Sequence, residues 1–134
     1  MADDIVLNKV AIIERCLARV REEYGAGDAP LETDYTRQDA IVLNLQRACE
    51  AAIDLAMHAA RTRRLGLPQD ARDAFTLLEH ANVIAPEVAH RMRAMVGFRN
   101  VAVHQYQDLS MPILHAILED RLDDFTAFTH ALVS

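Results

Sequence analysis

The chain has 134 residues, enough for one domain with a real core and no need of disulfide or metal staples. It is 51% hydrophobic and 25% charged with no Trp and few Phe, Tyr, Gly or Pro, so the core is aliphatic and the composition favours helices over strands. A formal charge of −6, from 14 basic and 20 acidic residues, argues against broad neutralisation of duplex phosphates but leaves room for a small local contact with RNA.

Ile5, Val6, Val10, Ile13, Leu17 and Val20 recur at helical spacing and predict a first amphipathic helix over residues 4–23. The loop "YGAGDAPLETD" follows. Thr36 with Asp39 reads as an acidic capping box opening a long helix through Leu65, which Gly66 and Pro68 close. Asp70 opens a short helix, "DARDAFTLLEH", that ends at Asn82. Pro86 suits the first turn of the next helix, which runs into "RNVAVHQY". Ser110 caps a last helix carrying Ile113, Leu114, Ile117, Leu118, Leu122, Phe125, Phe128 and Leu132. No alternating strand, repeat or internal linker interrupts this pattern. The expectation is one all-α domain over 1–134, an antiparallel bundle of four main helices and one short helix.

Cys16 and Cys49 stand alone among apolar residues and read as reduced core thiols. The N-terminus lacks a basic region before its apolar residues, unlike a signal peptide. "AAIDLAMHAA" is broken by Asp54 and His58 and is too short to span a membrane. A cytoplasmic protein is expected. The high apolar share also leaves spare hydrophobic surface, which oligomerisation would bury.

The segment "RNVAVHQY", residues 99–106, carries a guanidinium, an amide, an imidazole and a phenol in one short apolar stretch. At about 100° per residue, Arg99 and Tyr106 would lie roughly 20° apart on a continuous helix, and Asn100 and His104 about 40° apart. Arg99 and His104 would be separated by about 140°, so one straight helix does not aim both at a single atom. Either the backbone breaks between them or two copies of the segment complete a site across a dimer. The chemistry these groups suit is phosphodiester cleavage. An imidazole can take a proton from a ribose 2′-hydroxyl or give one to the leaving oxygen. A guanidinium can hold the phosphate and stabilise its developing charge. Asn100 could orient the imidazole or donate to phosphate. RNA carries its own nucleophile, so no metal or cofactor is required. As spacing alone, Arg-x4-His is a weak signal with common chance matches, and the pattern by itself favours a structural role.

"RNVAVHQY" resembles the motif of the HEPN superfamily, an Arg followed by a polar residue and then, after a short spacer, His. The Tyr two residues on is similar to that of the HepT family of toxin–antitoxin ribonucleases. The resemblance extends to "IVLNLQRACEAAIDLAMH" as that family's long second helix, to "LGLPQDARDAFTLLEHANVI" as its connecting segment and to "MVGFRNVAVHQY" as its active-site helix. It is weakest over residues 24–35. The resemblance implies a homodimeric, metal-independent RNA endonuclease with Arg99 and His104 as the catalytic pair and Asn100 in support. It implies as partner a small nucleotidyltransferase antitoxin of the MntA type, and inactivation by adenylylation of Tyr106. A runner-up of another class is a non-catalytic HEPN dimer that serves as a binding module for that partner.

A second polar group lies in "RACEAAIDLAMH". Glu50, Asp54 and His58 follow at four-residue steps, with Arg47 before them. A metal site is one reading, to which Glu87-x-x-His90 would add a further unit, but di-metal bundles need that unit twice. The other readings are an ion network of Arg47 with Glu50 and Asp54, His58 being solvated, or a polar wall of the dimer cleft that orders Arg99. Arg91 and Arg93, one to two turns before Arg99, are candidate contacts for the RNA backbone. Arg61, Arg63 and Arg64 complement the dipole at the end of the second helix. His80, His90, His115 and His130 read as surface residues.

Overall fold

The computed structural model describes residues 3–133, and every regular element among them is helical. Helix α1 (Asp4–Gly25) is capped by Asp3, whose carboxylate accepts from the Val6 N–H at 2.8 Å. Helix α2 (Tyr35–Thr62) runs back along it, with Lys9 near the start of α1 pairing with Asp54 at 3.1 Å. At the other end Arg37 of α2 reaches the Glu23 carbonyl at 2.9 Å. The two helices bury Ile13, Leu17 and Val20 of α1 in the same core as the small alanines of α2, among them Ala48, Ala52, Ala56 and Ala59.

Two boundaries of α2 differ from expectation. Asp34, not Thr36, is the N-cap, accepting from the Arg37 N–H at 3.2 Å. That start leaves Asp39 inside the helix and free to serve elsewhere. The helix also ends at Thr62, before Leu65, because Arg64 takes a left-handed φ of 56°. The Leu65 and Arg64 N–H groups then satisfy the Ala60 and Arg61 carbonyls at 2.9 and 3.1 Å. Gly66, also at positive φ, follows the stop and does not make it.

Helix α3 (Ala71–His80) starts at Asp70, as expected, and stops through the same kind of motif at Asn82, φ 59°. Helix α4 (Pro86–His104) runs antiparallel to α3 and buries Ala89, Met92, Met95, Val96, Phe98 and Ala102. A short 3-10 turn (Tyr106–Asp108) leads to the last helical rod, capped by Ser110. That rod is not uniform. An α-helical start, α5 (Met111–Ala116), passes through a π-helical segment (Ile117–Arg121) into α6 (Leu122–Val133). Phe128 of α6 meets Phe75 of α3 edge-on, with ring centroids 5.3 Å apart. One aliphatic core joins these helices around Phe75, Phe125, Ile41, Leu45, Leu55 and Met92. Among the described residues no helix is long and apolar enough to cross a membrane.

Candidate active site

The site starts from the C-terminal end of α4. The helix is unbroken through Arg99 and Asn100 to His104, its last residue. A break between Arg99 and His104 is therefore excluded, and the wide angle between them stands. The chain leaves the helix at Gln105, φ −143° and ψ 47°, after its N–H closes on the Val101 carbonyl at 2.8 Å. Tyr106 thus lies beyond the helix, in the 3-10 turn, and the shared face expected for Arg99 and Tyr106 does not form. The reason is local: two N–H groups, of Asp108 and Leu109, turn back onto the carbonyls of Gln105 and Tyr106 at 2.8 and 3.0 Å, a tighter path than an α-helix.

Each motif side chain has a distinct setting. Arg99 is half-buried, and its Nε is inaccessible to solvent and without a hydrogen-bond partner. No carboxylate among the described residues forms an ion pair with it. Its charge acts on the Cys49 thiol of α2, which burial pushes up to about 12 against the opposing pull of Arg99. Asn100 is half-buried and His104 is exposed. Tyr106, 37% exposed, donates its hydroxyl to the Asp39 carboxylate of α2. Burial first, then that carboxylate, raises its pKa to about 12. Sequence reasoning missed Asp39 because it spent this residue on a helix cap; the 67-residue separation from Tyr106 carries no local signal.

The second polar group does not form the expected ion network of Arg47 with Glu50 and Asp54. Asp54 pairs with Lys9, and Glu50 accepts from Gln46 at 2.8 Å, so Arg47 forms neither of the expected pairs. His58 is buried rather than solvated, held by Asp3 at 2.8 Å and by Arg61 at 3.2 Å. Among the described residues no group of three His, Cys, Asp or Glu side chains is placed to hold a metal ion. Arg47, Glu50 and Asp54 instead line a groove of about 700 Å³ between α1 and α2. A second groove, about 500 Å³, lies between α4 and the last rod and includes Arg91. None of Arg99, Asn100, His104 and Tyr106 lines either groove. Arg91 is paired with Glu87 at 2.9 Å, and Arg93 with Glu79 of α3 at 2.9 Å. Of the four arginines named from sequence for phosphate contact or cleft lining, Arg91 and Arg93 are ion-paired, and Arg99 and Arg47 have no such pair among the described residues.

The geometry is that of a helix end presenting an unpaired guanidinium, an amide and an imidazole, with a tethered phenol beside them. The family model described as "Ribonuclease HepT-like" matches residues 13–132. The chain belongs to the HepT-like ribonuclease family. This HepT-like chain is 45% identical over 126 residues to the protein named mRNA nuclease HepT of Shewanella oneidensis, covering 94% of each. It is similar to the solved structure of the tri-AMPylated Shewanella oneidensis HEPN toxin in complex with MNT antitoxin, with a TM-score of 0.93 and 43% identity over 98% of both chains. A toxin–antitoxin crystal structure with AMP-PNP matches the HepT-like fold at a TM-score of 0.92 and 43% identity, over 98% of this chain and 99% of that one.

Proposed function

We propose that this chain is the toxin of a toxin–antitoxin pair, a metal-independent endoribonuclease of the cytoplasm that cuts mRNA. The single observation that carries the reading is Arg99: a cation with a buried, unpartnered Nε and no ion pair, five residues from an exposed imidazole at the end of the same helix. A fold does not keep an unsatisfied buried donor for stability, since such a group costs about 1–3 kcal/mol. A phosphate oxygen would satisfy it.

In this reading Arg99 binds the scissile phosphate and stabilises the charge that develops on its oxygens. His104 takes the proton of the 2′-hydroxyl as that oxygen attacks phosphorus, and a proton is returned to the departing 5′-oxygen, leaving a 2′,3′-cyclic phosphate. Asn100 donates to phosphate or orients the imidazole. Neither groove of the chain encloses the motif, and the rotation between Arg99 and His104 separates them on one helix. A two-fold dimer supplies the missing wall and lets Arg99 of one copy serve His104 of the other. Arg47 is a candidate contact for the RNA backbone, whereas Arg91 and Arg93 would first have to leave their carboxylates.

The antitoxin in this reading is a nucleotidyltransferase, and its target is Tyr106. AMP on the hydroxyl removes the proton that Tyr106 gives to Asp39 and puts a phosphodiester charge beside that carboxylate. Repulsion then drives the nucleotide away from α2 and towards the motif cations, where it occupies the substrate's place.

The test is cleavage of end-labelled RNA by the purified protein, with and without chelator, beside His104→Ala. Cutting that resists chelator, yields cyclic-phosphate ends and disappears in the variant is expected. Cutting that needs added metal, or survives in His104→Ala, overturns the mechanism. Light scattering should give a dimer, twice the 15.0 kDa chain. A monomer that cuts RNA would remove the shared site.

A further inference from the structure

The face of α4 that ends in His104 is a narrow stripe. Arg93, Gly97, Asn100 and His104 fall within about 60° of one another at 100° per residue. Helix α3 covers the first half of it. Glu79 and Thr76 of α3 hold Arg93 at 2.9 and 3.3 Å, and one turn nearer the α3 start Arg72 lies over Gly97. Because α3 begins at Ala71, Arg72 belongs to its last turn in this direction, and beyond it lie half-buried Asn100 and exposed His104.

Gly97 is unusual in this setting. It sits inside α4 at ordinary helical φ, so no turn requires glycine, and glycine costs helix stability relative to alanine. What a side chain there would meet is the Arg72 guanidinium: a Cβ on Gly97 would lie 3.2 Å from Arg72 Nη2. The glycine leaves room for that charge, whose tip an alanine would move by about a few tenths of an ångström. Arg72 itself is exposed and makes no ion pair or side-chain hydrogen bond among the described residues. Its acidic neighbours are engaged elsewhere, Asp70 with the Asp73 N–H and Asp73 with the Gln69 N–H. It also stands in the first turn of a helix, where the dipole disfavours a cation. Neither local pairing nor helix electrostatics accounts for this arginine.

We infer that Arg72 is a second phosphate-binding residue of the RNA site, seated by Gly97 on the His104 stripe and positioning the strand beside the scissile bond. The inference rests on the ribonuclease reading above. Gly97 precedes Asn100 by about one helical turn and His104 by about two, roughly 10 Å along the axis. Arg72 therefore meets a neighbouring phosphate, not the reacting one. It acts on strand position, with the reaction left to Arg99 and His104.

The experiment uses the full chain and a fluorescent single-stranded oligoribonucleotide, with binding read in the His104→Ala background over a series of salt concentrations. Arg72→Ala should weaken binding about 5- to 10-fold and lower the salt slope by about 0.7, one phosphate contact on a single strand. Arg72→Lys should recover part of the affinity. In the cleaving protein the rise in KM should exceed any fall in kcat. Gly97→Ala, which shifts the Arg72 tip by only about a few tenths of an ångström, should weaken RNA binding less than Arg72→Ala does while the melting temperature holds or rises, and the double variant should be no worse than Arg72→Ala alone. If wild type cuts RNA and Arg72→Ala binds it with unchanged affinity and slope, this inference fails and the ribonuclease reading stands. If Gly97→Ala lowers the melting temperature and leaves RNA binding intact, the glycine serves helix packing and the seat is disproved. A wild-type protein that neither binds nor cuts RNA removes both readings.

Discussion

The Tyr106 hydroxyl donates to the Asp39 carboxylate, tying the turn that follows His104 to the second turn of α2. Burial and this carboxylate together push Tyr106 up to about 12. The unfolded value is about 10, so the native chain holds this proton more tightly. The resulting contribution to stability is complete below about pH 10 and is lost as pH rises through 12. Asp39→Asn should shift the Tyr106 titration down while burial keeps it above the unfolded value, a change followed by phenolate absorbance. An unchanged titration would mean that burial alone sets it.

The same hydroxyl is the proposed modification point. Tyr106→Phe should retain RNase activity, because no proton of the cleavage step comes from it, yet gain no AMP mass on co-expression with the antitoxin. If the antitoxin silences Tyr106→Phe as fully as wild type, inhibition is steric and adenylylation is not the switch.

Arg99 separates activity from stability. Arg99→Met removes a buried donor that has no partner, so the urea midpoint should stay level or rise. Cleavage should fall by about 100- to 1,000-fold, the usual cost of losing one group that stabilises a transition-state anion. A loss of more than about 2 kcal/mol of stability would instead assign Arg99 to the fold.

Arg37 behaves in the opposite way. It is 8% exposed, and its guanidinium donates to the carbonyls of Glu23, Tyr24 and Ala29 at 2.9, 2.9 and 2.8 Å, closing the loop between α1 and α2. Arg37→Met should cost about 3 kcal/mol, the scale of losing charge-assisted hydrogen bonds to backbone groups otherwise left unpaired. Arg37→Lys should recover little, because an ammonium cannot span three carbonyls in one plane. Urea denaturation decides: a loss below about 0.5 kcal/mol would mean that water replaces the side chain without cost.

Acid stability should depend on Asp3. Its hydrogen bond with His58, then its cap on Val6, hold its carboxyl below the usual value of 3.8. A lowered folded pKa gives stability that is present above the unfolded pKa and lost as pH falls through the folded one. The urea midpoint of wild type should therefore drop more steeply below about pH 4 than that of Asp3→Asn. Parallel curves would show that other carboxylates govern acid unfolding.

Helix content, helix order and the motif were legible along the chain, because each rests on interactions within a few residues. Apolar residues every three or four positions specify which face is buried, and Asp70, Pro86 and Ser110 mark helix starts through contacts inside one turn. The Arg99–His104 angle followed from helix geometry alone and held because α4 continues to His104. Polar partners were not legible in this way. Asp39 reaching Tyr106, Asp3 reaching His58 and Arg72 resting over Gly97 span 67, 55 and 25 positions. A side chain's charge does not say which distant group it will meet; packing of α2 and α3 against their neighbours decides that. Arg91 and Arg93 looked free in sequence and are paired, whereas Arg72 drew no notice and is unpaired. Arg91 meets Glu87 one turn back on its own helix, a local pair, while Arg93 meets Glu79 only because α3 docks on α4. The sequence determined that a cation and an imidazole stand five residues apart on one helix, since the helical repeat is local. Only the tertiary structure decided which cations remain available to a phosphate, since that depends on which carboxylates folding brings within reach.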